Sequence, residues 1–287
     1  MRSIREVLAQ DGRALQTTLS LAAQEARSET QLLLQHALSV NRAYLLAHPE
    51  QELDATQAAA YRALLQRRLA GEPIAYILGE REFFGLLLKV TPATLIPRPE
   101  TELLVEQALR HIPTSASKSG DVFRVLDLGS GSGAIALSIA HAHPDAEVTV
   151  VDASIEALAV ARENARRLNI VNTRFVQSDW FARLAGERFD LIVANPPYIA
   201  DGDAHLAQGD LRYEPRSALA SGADGLDDLR RIIGGANAHL TAGGWLLLEH
   251  GYDQAAAVRD LLLSAGLDGV FSATDLAGIE RVSGGGI

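Results

Sequence analysis

Apolar residues in the first seventy positions recur at helical spacing. Ile4, Val7 and Leu8, then Leu32 and Leu33, then Leu45 and Leu46 form stripes separated by polar turns. Asp54 followed three residues later by Gln57 has the form of a capping box ahead of a helix over 55–70, and Ser28 with Gln31 has the same form. Gly71 and Pro73 end that last helix. The pattern predicts four or five short helices, a small bundle over residues 1–72 that carries no chemical motif and serves as scaffold or recognition module. Between 73 and 98 the pattern changes. Phe83, Phe84, Leu86, Leu88 and Val90 around Gly85 predict a β-hairpin. Pro92, Pro97 and Pro99 punctuate the chain beyond the hairpin, so this stretch reads as a connector.

From 122 onward strand-like and helical segments alternate. Strands are expected at 122–128, 147–152, 173–177, 191–194 and 245–249, with short ones near 270–274 and 280–283. Helices are expected at 134–142, 154–168, 227–239 and 254–265, and 113–121 reads as a polar surface loop. Alternating β and α units with apolar strands imply an α/β domain over 99–287, with a mainly parallel sheet covered on both faces.

Length agrees with this division, because 287 residues suggest about two globular units. The chain has no cysteine, which excludes disulfides, cysteine-ligated metal and thiol nucleophiles, and suits a reducing compartment. Its net charge is −10. Residues 1–75 balance eight basic against eight acidic groups, so the rest of the chain carries the whole excess. Such a charge disfavours tracking along nucleic acid. Charges interrupt the N-terminus every few residues and no run has the length of a membrane span, so a cytoplasmic protein without signal peptide or membrane contact is expected.

Three constellations carry chemistry. Asp127-Leu128-Gly129-Ser130-Gly131-Ser132-Gly133 lies between an expected strand and helix. Its glycines let backbone pass close to a ligand at a helix N-terminus, and the G-x-G-x-G spacing departs from the G-x-G-x-x-G of nicotinamide dinucleotide sites. Asp152 ends the next strand, where a carboxylate accepts both hydroxyls of a ribose. Asn195-Pro196-Pro197-Tyr198 follows an apolar strand. Two prolines stiffen that loop and remove two N–H donors, leaving carbonyl acceptors beside an amide oxygen and an aromatic face, a set that grips a planar –NH₂ group.

Together these motifs resemble class I S-adenosylmethionine-dependent methyltransferases with an N-P-P-Y motif. More closely they resemble the protein-(glutamine-N5) methyltransferases that modify peptide-chain release factors. The resemblance runs through Arg81-Glu82-Phe83-Phe84-Gly85, Ile96-Pro97-Arg98-Pro99-Glu100-Thr101-Glu102 and Tyr213-Glu214-Pro215-Arg216. It continues through Gly222-Ala223-Asp224-Gly225-Leu226, Glu249-His250-Gly251 and Asp275-Leu276-Ala277-Gly278. It implies a Rossmann-like class I methyltransferase domain with a small N-terminal helical domain that recognises substrate. It also implies that Gly129, Ser130, Gly131, Ser132 and Gly133 wrap the methionine part of S-adenosylmethionine, with Asp152 on the ribose, Trp180 beside the adenine and Asp179 near its exocyclic amine. Asn195 would contact both cofactor and acceptor. Asn195, Pro196, Pro197 and Tyr198 would hold the glutamine of a Gly-Gly-Gln tip in a class 1 release factor, with Asn195, Pro196 and Tyr198 catalytic. Arg98 closes the site or serves as an ordinary ion-pair partner.

Other groups read as structural. His141 and His143 stand two apart at a helix end and do not share a face, so no metal site is expected. His250 follows a strand and reads as packing, and the acidic region 201–228 as solvated loop and helix start. The competing functional classes are an adenine-N6 nucleic-acid methyltransferase, a silent partner-binding module and a nicotinamide oxidoreductase. The first expects a basic groove, the second decay of the motifs, and the third a different glycine spacing. The resemblance implies a monomer acting on a protein, without direct nucleic-acid contact.

Overall fold

The computed structural model describes residues 2–113 and 122–287, so the loop expected at 113–121 lies, except for Pro113, outside the described residues. The chain forms two compact units, Met1–Gly79 with Ala207–Tyr213, and Glu80–Leu206 with Glu214–Ile287.

The first unit is helical: α1 (Ile4–Leu19), α2 (Ala23–Leu38), α3 (Arg42–Ala47), α4 (Ala55–Leu69) and α5 (Ile74–Leu78). Asp54 and Gln57 form the expected reciprocal capping box on α4, and Ser3 with Glu6 forms another on α1. Ser28 caps nothing, because α2 begins at Ala23 and runs through it. The core is built from Ile4, Val7, Leu15, Leu33, Leu34, Leu45, Tyr61, Leu65 and Ile77. Leu32 and Leu46, expected in the stripes, are exposed. On α2 the buried residues are Ala26, Glu29, Thr30, Gln31, Leu33 and Leu34, and Leu32 is left outside them. Buried Ile77 also draws α5 into this unit, which therefore runs to Gly79, past the end at 72 expected from the sequence.

A buried ion pair explains the polar Glu29 on α2. Arg68 of α4 donates from Nε and Nη2 to the Glu29 carboxylate at 2.7 and 3.0 Å, and from Nη1 to the Glu72 carbonyl at 3.0 Å and Asp210 at 3.1 Å. Segment 207–213, expected as solvated loop, is held in the helical unit by this contact and by Tyr213, whose hydroxyl donates to the Ala70 carbonyl at 2.9 Å.

The second unit opens with a hairpin, β1 (Glu80–Phe83) and β2 (Leu86–Lys89). Phe84 and Gly85 both have left-handed φ, 50° and 77°, the requirement of a two-residue turn whose twist matches the strands. Helix α6 (Glu102–His111) follows. Then come β3 (Arg124–Leu128), α7 (Ala134–Ala142), β4 (Glu147–Asp152), α8 (Ile155–Arg167), β5 (Thr173–Gln177) and β6 (Phe189–Ala194). Short 3-10 turns span parts of 204–218, and α9 (Asp227–His239), β7 (Leu240–Glu249), α10 (Ala255–Ser264), β8 (Asp268–Thr274) and β9 (Glu280–Gly286) complete the unit.

The seven sheet strands lie in the order β5-β4-β3-β6-β7-β9-β8. Pairs from β5 to β7 are parallel, and β9 enters antiparallel between β7 and β8. Residues alternate between two cores. Val125, Leu191 and Val193 face α6, α7 and α8, whereas Leu126, Ile192 and Ala194 face α9 and α10. This is the expected doubly covered, mainly parallel α/β domain. No helix among the described residues is long and apolar enough to cross a membrane.

A side chain without sequence motif ties the hairpin to the sheet. Asn164 on α8 is fully buried, accepts from the Lys89 N–H at 2.7 Å, and donates to the carbonyls of Lys89 and Ser132, each at 2.9 Å.

Replacing Arg68 with Met leaves Glu29 as a buried carboxylate without a cation, and should cost about 3–5 kcal/mol in urea unfolding. The double variant Arg68→Met with Glu29→Leu should recover most of that loss. An equal loss in both would show that the pair's charge balance is not what the unit depends on.

Candidate active site

A cavity of about 420 Å³ opens at the C-terminal ends of β3, β4, β5 and β6, where the strand order reverses direction. Open parallel sheets bind ligands at such switch points. Each strand sends one loop to its wall: Gly129 and Gly131 from β3, Asp152 from β4, Ser178, Asp179 and Trp180 from β5, and Asn195 and Pro197 from β6.

The glycine turn is held by backbone bonds to the neighbouring strand. Gly129 and Ser130 N–H groups both donate to the Val151 carbonyl at 2.9 Å. The Ser130 hydroxyl donates to the Asp127 carbonyl at 3.0 Å and accepts from the Val151 N–H at 3.1 Å. Gly129 has φ 72°, and a Cβ there would lie 3.2 Å from the Trp180 ring, so glycine is required on both counts. Ser130, Ser132 and Gly133 stand behind the wall. The Ser130 side chain is spent on the strand, the Ser132 carbonyl accepts from Asn164, and Gly133 packs on Leu137 and Ala161.

Asp152 accepts from Gly131 N–H and Ser154 N–H, both at 2.8 Å, one on each carboxylate oxygen. Asp152 lines the cavity, and a carboxylate oxygen that accepts one bond retains acceptor capacity, which suits two vicinal hydroxyls. Burial pushes this carboxyl up, and the backbone donors pull it down. Trp180 has φ 47°, unusual for a bulky residue, and its indole N–H donates to Asp228 at 3.1 Å. Asp179 is engaged by Arg231 at 2.7 Å, with both side chains exposed at the cavity rim.

The loop after β6 rests on a buried network. Asn195 Nδ2 donates to the Thr101 hydroxyl at 3.2 Å, and the Tyr198 hydroxyl donates to Glu249 Oε1 at 3.3 Å. Thr101 and Glu249 are 4% and 2% exposed, too deep for either to be supplied by bulk water. Pro196 and Tyr198 are not on the cavity wall, since Tyr198 turns its ring into the core formed with α9 and α10. Arg98 pairs with buried Glu214, whose other oxygen accepts from the Ile96 N–H at 2.9 Å, so Arg98 is engaged as an ion-pair partner. His250 is buried as expected, with Nε2 2.8 Å from the Ser283 hydroxyl.

Thr101, Glu214 and Glu249 stand inside recognised motifs, but spacing alone assigned them no task. Asn164 and Asp228 had no motif at all. A lone polar residue at a buried helical position was the only signal for Asn164.

A seven-stranded sheet of this order, with a glycine turn, a strand-end acid and an Asn-Pro-Pro-Tyr loop around one cavity, defines a Rossmann-like methyltransferase domain. Residues 101–224 match the family profile described as Methyltransferase small domain, and 13–79 match that described as PrmC N-terminal domain. The fold is shared with a methyltransferase from Pyrococcus furiosus (TM-score 0.52, 20% identity, 77% of this chain and 95% of that one). It is also shared with the T. thermophilus 16S rRNA N2 G1207 methyltransferase, solved with AdoMet and guanosine (TM-score 0.52, 21% identity, 72% of this chain and 49% of that one). Both likenesses concern the fold alone. Release factor glutamine methyltransferase of Bordetella pertussis is 55% identical over 260 residues, 90% of this chain and 94% of the relative. The same-named protein of Pseudomonas aeruginosa is 50% identical, covering 90% and 91%. The chain belongs to the release factor glutamine methyltransferase family.

Two carboxyls at the site are fully buried. Burial pushes Asp127 from 3.8 up to about 7 and Glu249 from 4.5 up to about 7. Each group binds its proton more tightly folded than unfolded, so its contribution to stability is complete below the unfolded value and is lost as pH rises through about 7. Thermal midpoints should therefore decline between about pH 4 and 7. Asp127→Asn and Glu249→Gln should each flatten that decline. An unchanged slope in both variants would contradict the burial of these charges.

Proposed function

We propose that this chain transfers a methyl group from S-adenosylmethionine to the side-chain amide nitrogen, N5, of the glutamine in the Gly-Gly-Gln motif of class 1 peptide-chain release factors. The reading is carried by one juxtaposition: Asn195 shares a single cavity with Gly129, Gly131 and Asp152. The activity for which relatives 50–55% identical over nine-tenths of the chain are named supports the same substrate. No observation favours the adenine or silent-module alternatives.

The residues present suit the cofactor. A cavity of about 420 Å³ falls within the range of small-ligand sites, and Asp152 offers two carboxylate oxygens to a ribose diol. Gly129 and Gly131 present bare backbone where a methionine moiety would pass, and the Trp180 ring beside Gly129 gives an adenine a flat neighbour. Bound there, S-adenosylmethionine supplies an electrophilic methyl carbon on a sulfonium.

What remains is positioning, because an amide nitrogen is a poor nucleophile whose lone pair is delocalised. The Asn195 side-chain oxygen and the Pro196 carbonyl accept the two N–H groups of the acceptor, turning the face of its nitrogen toward the cavity. Tyr198 backs the loop. The two oxygens are fixed dipoles that favour the positive charge growing on nitrogen, and the proton is given up afterwards. The helical unit serves substrate recognition, and the unit that holds the sheet carries the chemistry. The protein acts as a cytoplasmic monomer on a protein substrate, without direct nucleic-acid contact.

The reading is tested by mass spectrometry of a purified release factor incubated with this protein and cofactor: one methyl group should appear on the tip glutamine. Asp152→Ala should weaken cofactor binding by about 1.5–3 kcal/mol, as read by titration calorimetry. Unchanged affinity in the folded variant would remove Asp152 from the ribose role. Asn195→Ala deletes one of the two acceptors and should slow single-turnover transfer at saturating cofactor by about 10²–10³. Transfer within about threefold of wild type would exclude the positioning mechanism.

A further inference from the structure

Trp180 stands where a tryptophan is out of place. Its φ of 47° lies in the left-handed region, which costs a bulky residue free energy and a glycine almost none. The turn it occupies closes through its neighbours. The Ala182 N–H donates to the Asp179 carbonyl and the Arg183 N–H to the Ser178 hydroxyl, both at 3.0 Å. The backbone alone would therefore take glycine at 180. Core packing does not account for the ring either, because Trp180 is only half-buried and lines the cavity. Strain kept at a cavity wall points to a side chain whose position matters to a ligand.

That position is fixed from two sides. The six-membered edge of the ring lies over Gly129, where a Cβ would meet it at 3.2 Å. The indole N–H donates to Asp228 Oδ1 at 3.1 Å. Asp228 is itself locked, since its Oδ2 accepts from the Ser221 hydroxyl at 2.8 Å and its backbone N–H donates to the same hydroxyl oxygen at 2.8 Å. A serine hydroxyl has one proton, so with that proton on Oδ2 it meets the Asp228 N–H with a lone pair, and both bonds hold at once. Ser221 is anchored in turn. Its N–H donates to the Ile199 carbonyl, and the Ile199 N–H donates to the Leu219 carbonyl, each at 2.9 Å. Ile199 follows directly on Tyr198, so the bonds run from the Trp180 indole to the backbone just past the Asn195–Tyr198 loop. Arg231 also pairs with Asp228 at 3.4 Å and with Asp179 at 2.7 Å. Its guanidinium is half exposed, so solvent screens both pairs and the Ser221 lock carries more of the holding.

We infer that Asp228 is a positioning residue for the cofactor: clamped by Ser221, it holds the Trp180 ring over Gly129 as a preformed aromatic wall for a purine base. The ligand in this inference rests on the S-adenosylmethionine reading, and the clamp does not. Without the Asp228 carboxylate the strained residue loses the bond that holds its ring. Binding must then order that ring each time, and the ordering is subtracted from affinity.

The test uses the full chain and two readouts. The chain has two tryptophans, so nitrogen-15 NMR shows two indole N–H signals, which Trp180→Phe assigns. Asp228→Ala should speed solvent exchange of the Trp180 indole proton by about tenfold or more, with the Trp245 signal unmoved as the sign of an intact fold. Asp228→Asn keeps an acceptor oxygen and should retain protection. The second readout is affinity for S-adenosylhomocysteine, the demethylated product, by titration calorimetry. Asp228→Ala should weaken it by about tenfold and Asp228→Asn by less than about threefold. In a Trp180→Phe background, which has a ring but no N–H, Asp228→Ala should add less than about twofold, because Asp228 acts through the indole. Unchanged exchange of the Trp180 proton in Asp228→Ala, or the same loss of affinity in the Trp180→Phe background, would overturn the inference. Where Asp228→Ala does not fold, Ser221→Ala removes the lock and keeps the carboxylate: faster exchange of the Trp180 proton supports the clamp, and unchanged exchange overturns it. A wild type that does not bind S-adenosylhomocysteine would instead refute the cofactor reading, and the indole exchange would still decide whether Asp228 holds the ring.

Discussion

The four loops that wall the cavity leave one edge of the sheet because β3 pairs in parallel with both β4 and β6. Its last residue, Leu128, sits in register with Val151 on one side and Ala194 on the other. That register brings Asp152 beside the glycine turn and Asn195 across from it, although 43 positions of sequence separate the two. Parallel pairing requires a crossover between consecutive strands, and here α7 and α8 supply it on one face while α9 and α10 cover the other. A slip of one residue in β3 would exchange Val125 and Leu126 between the two cores, so burial on both faces locks the register that the cavity needs.

Buried carboxyls then refine what the sheet positions coarsely. Asp127 accepts from the Ala136 N–H at 3.2 Å inside the first turn of α7, where the free N–H groups favour negative charge. Glu249, at the end of β7, accepts from the Tyr198 hydroxyl behind the loop that follows β6. Both groups are desolvated, which makes each hydrogen bond they accept stronger and their ionisation costlier. Glu214, its side chain buried as well, joins the Ile96 backbone to Arg98. For Glu249 and Glu214 a short motif recognised in the sequence is one half of a polar contact, and the other half lies far along the chain.

The helical unit obeys different rules. Helices α1, α3 and α4 are capped by local side chains, yet the unit's polar centre, Arg68 with Glu29 and Asp210, joins segments 39 and 142 residues apart. Segment 207–213 leaves the second unit and returns to it within seven residues, so the stretch after the proposed acceptor loop is covalently continuous with both units.

Local chemistry made much of this protein legible from its sequence. Alternation of apolar runs with helical periods identified the α/β domain, because buried parallel strands have to be continuously apolar and their crossovers amphipathic. The capping box at Asp54 was readable because it closes within four residues, and so were the glycine turn, Asp152 and the Asn-Pro-Pro-Tyr loop. Misreadings arose where distant contacts outweighed local ones. Ser28 and Gln31 imitate a helix start in the middle of α2, Leu32 and Leu46 are apolar but face out, and α5 joins the bundle through Ile77. Tertiary structure alone decided that Asn164 clamps the hairpin to the glycine turn and that Trp180 is held by Asp228. It alone set the Asn195 amide against the Thr101 hydroxyl, 94 residues earlier in the chain, because a contact between two loops of different strands leaves no mark in local spacing.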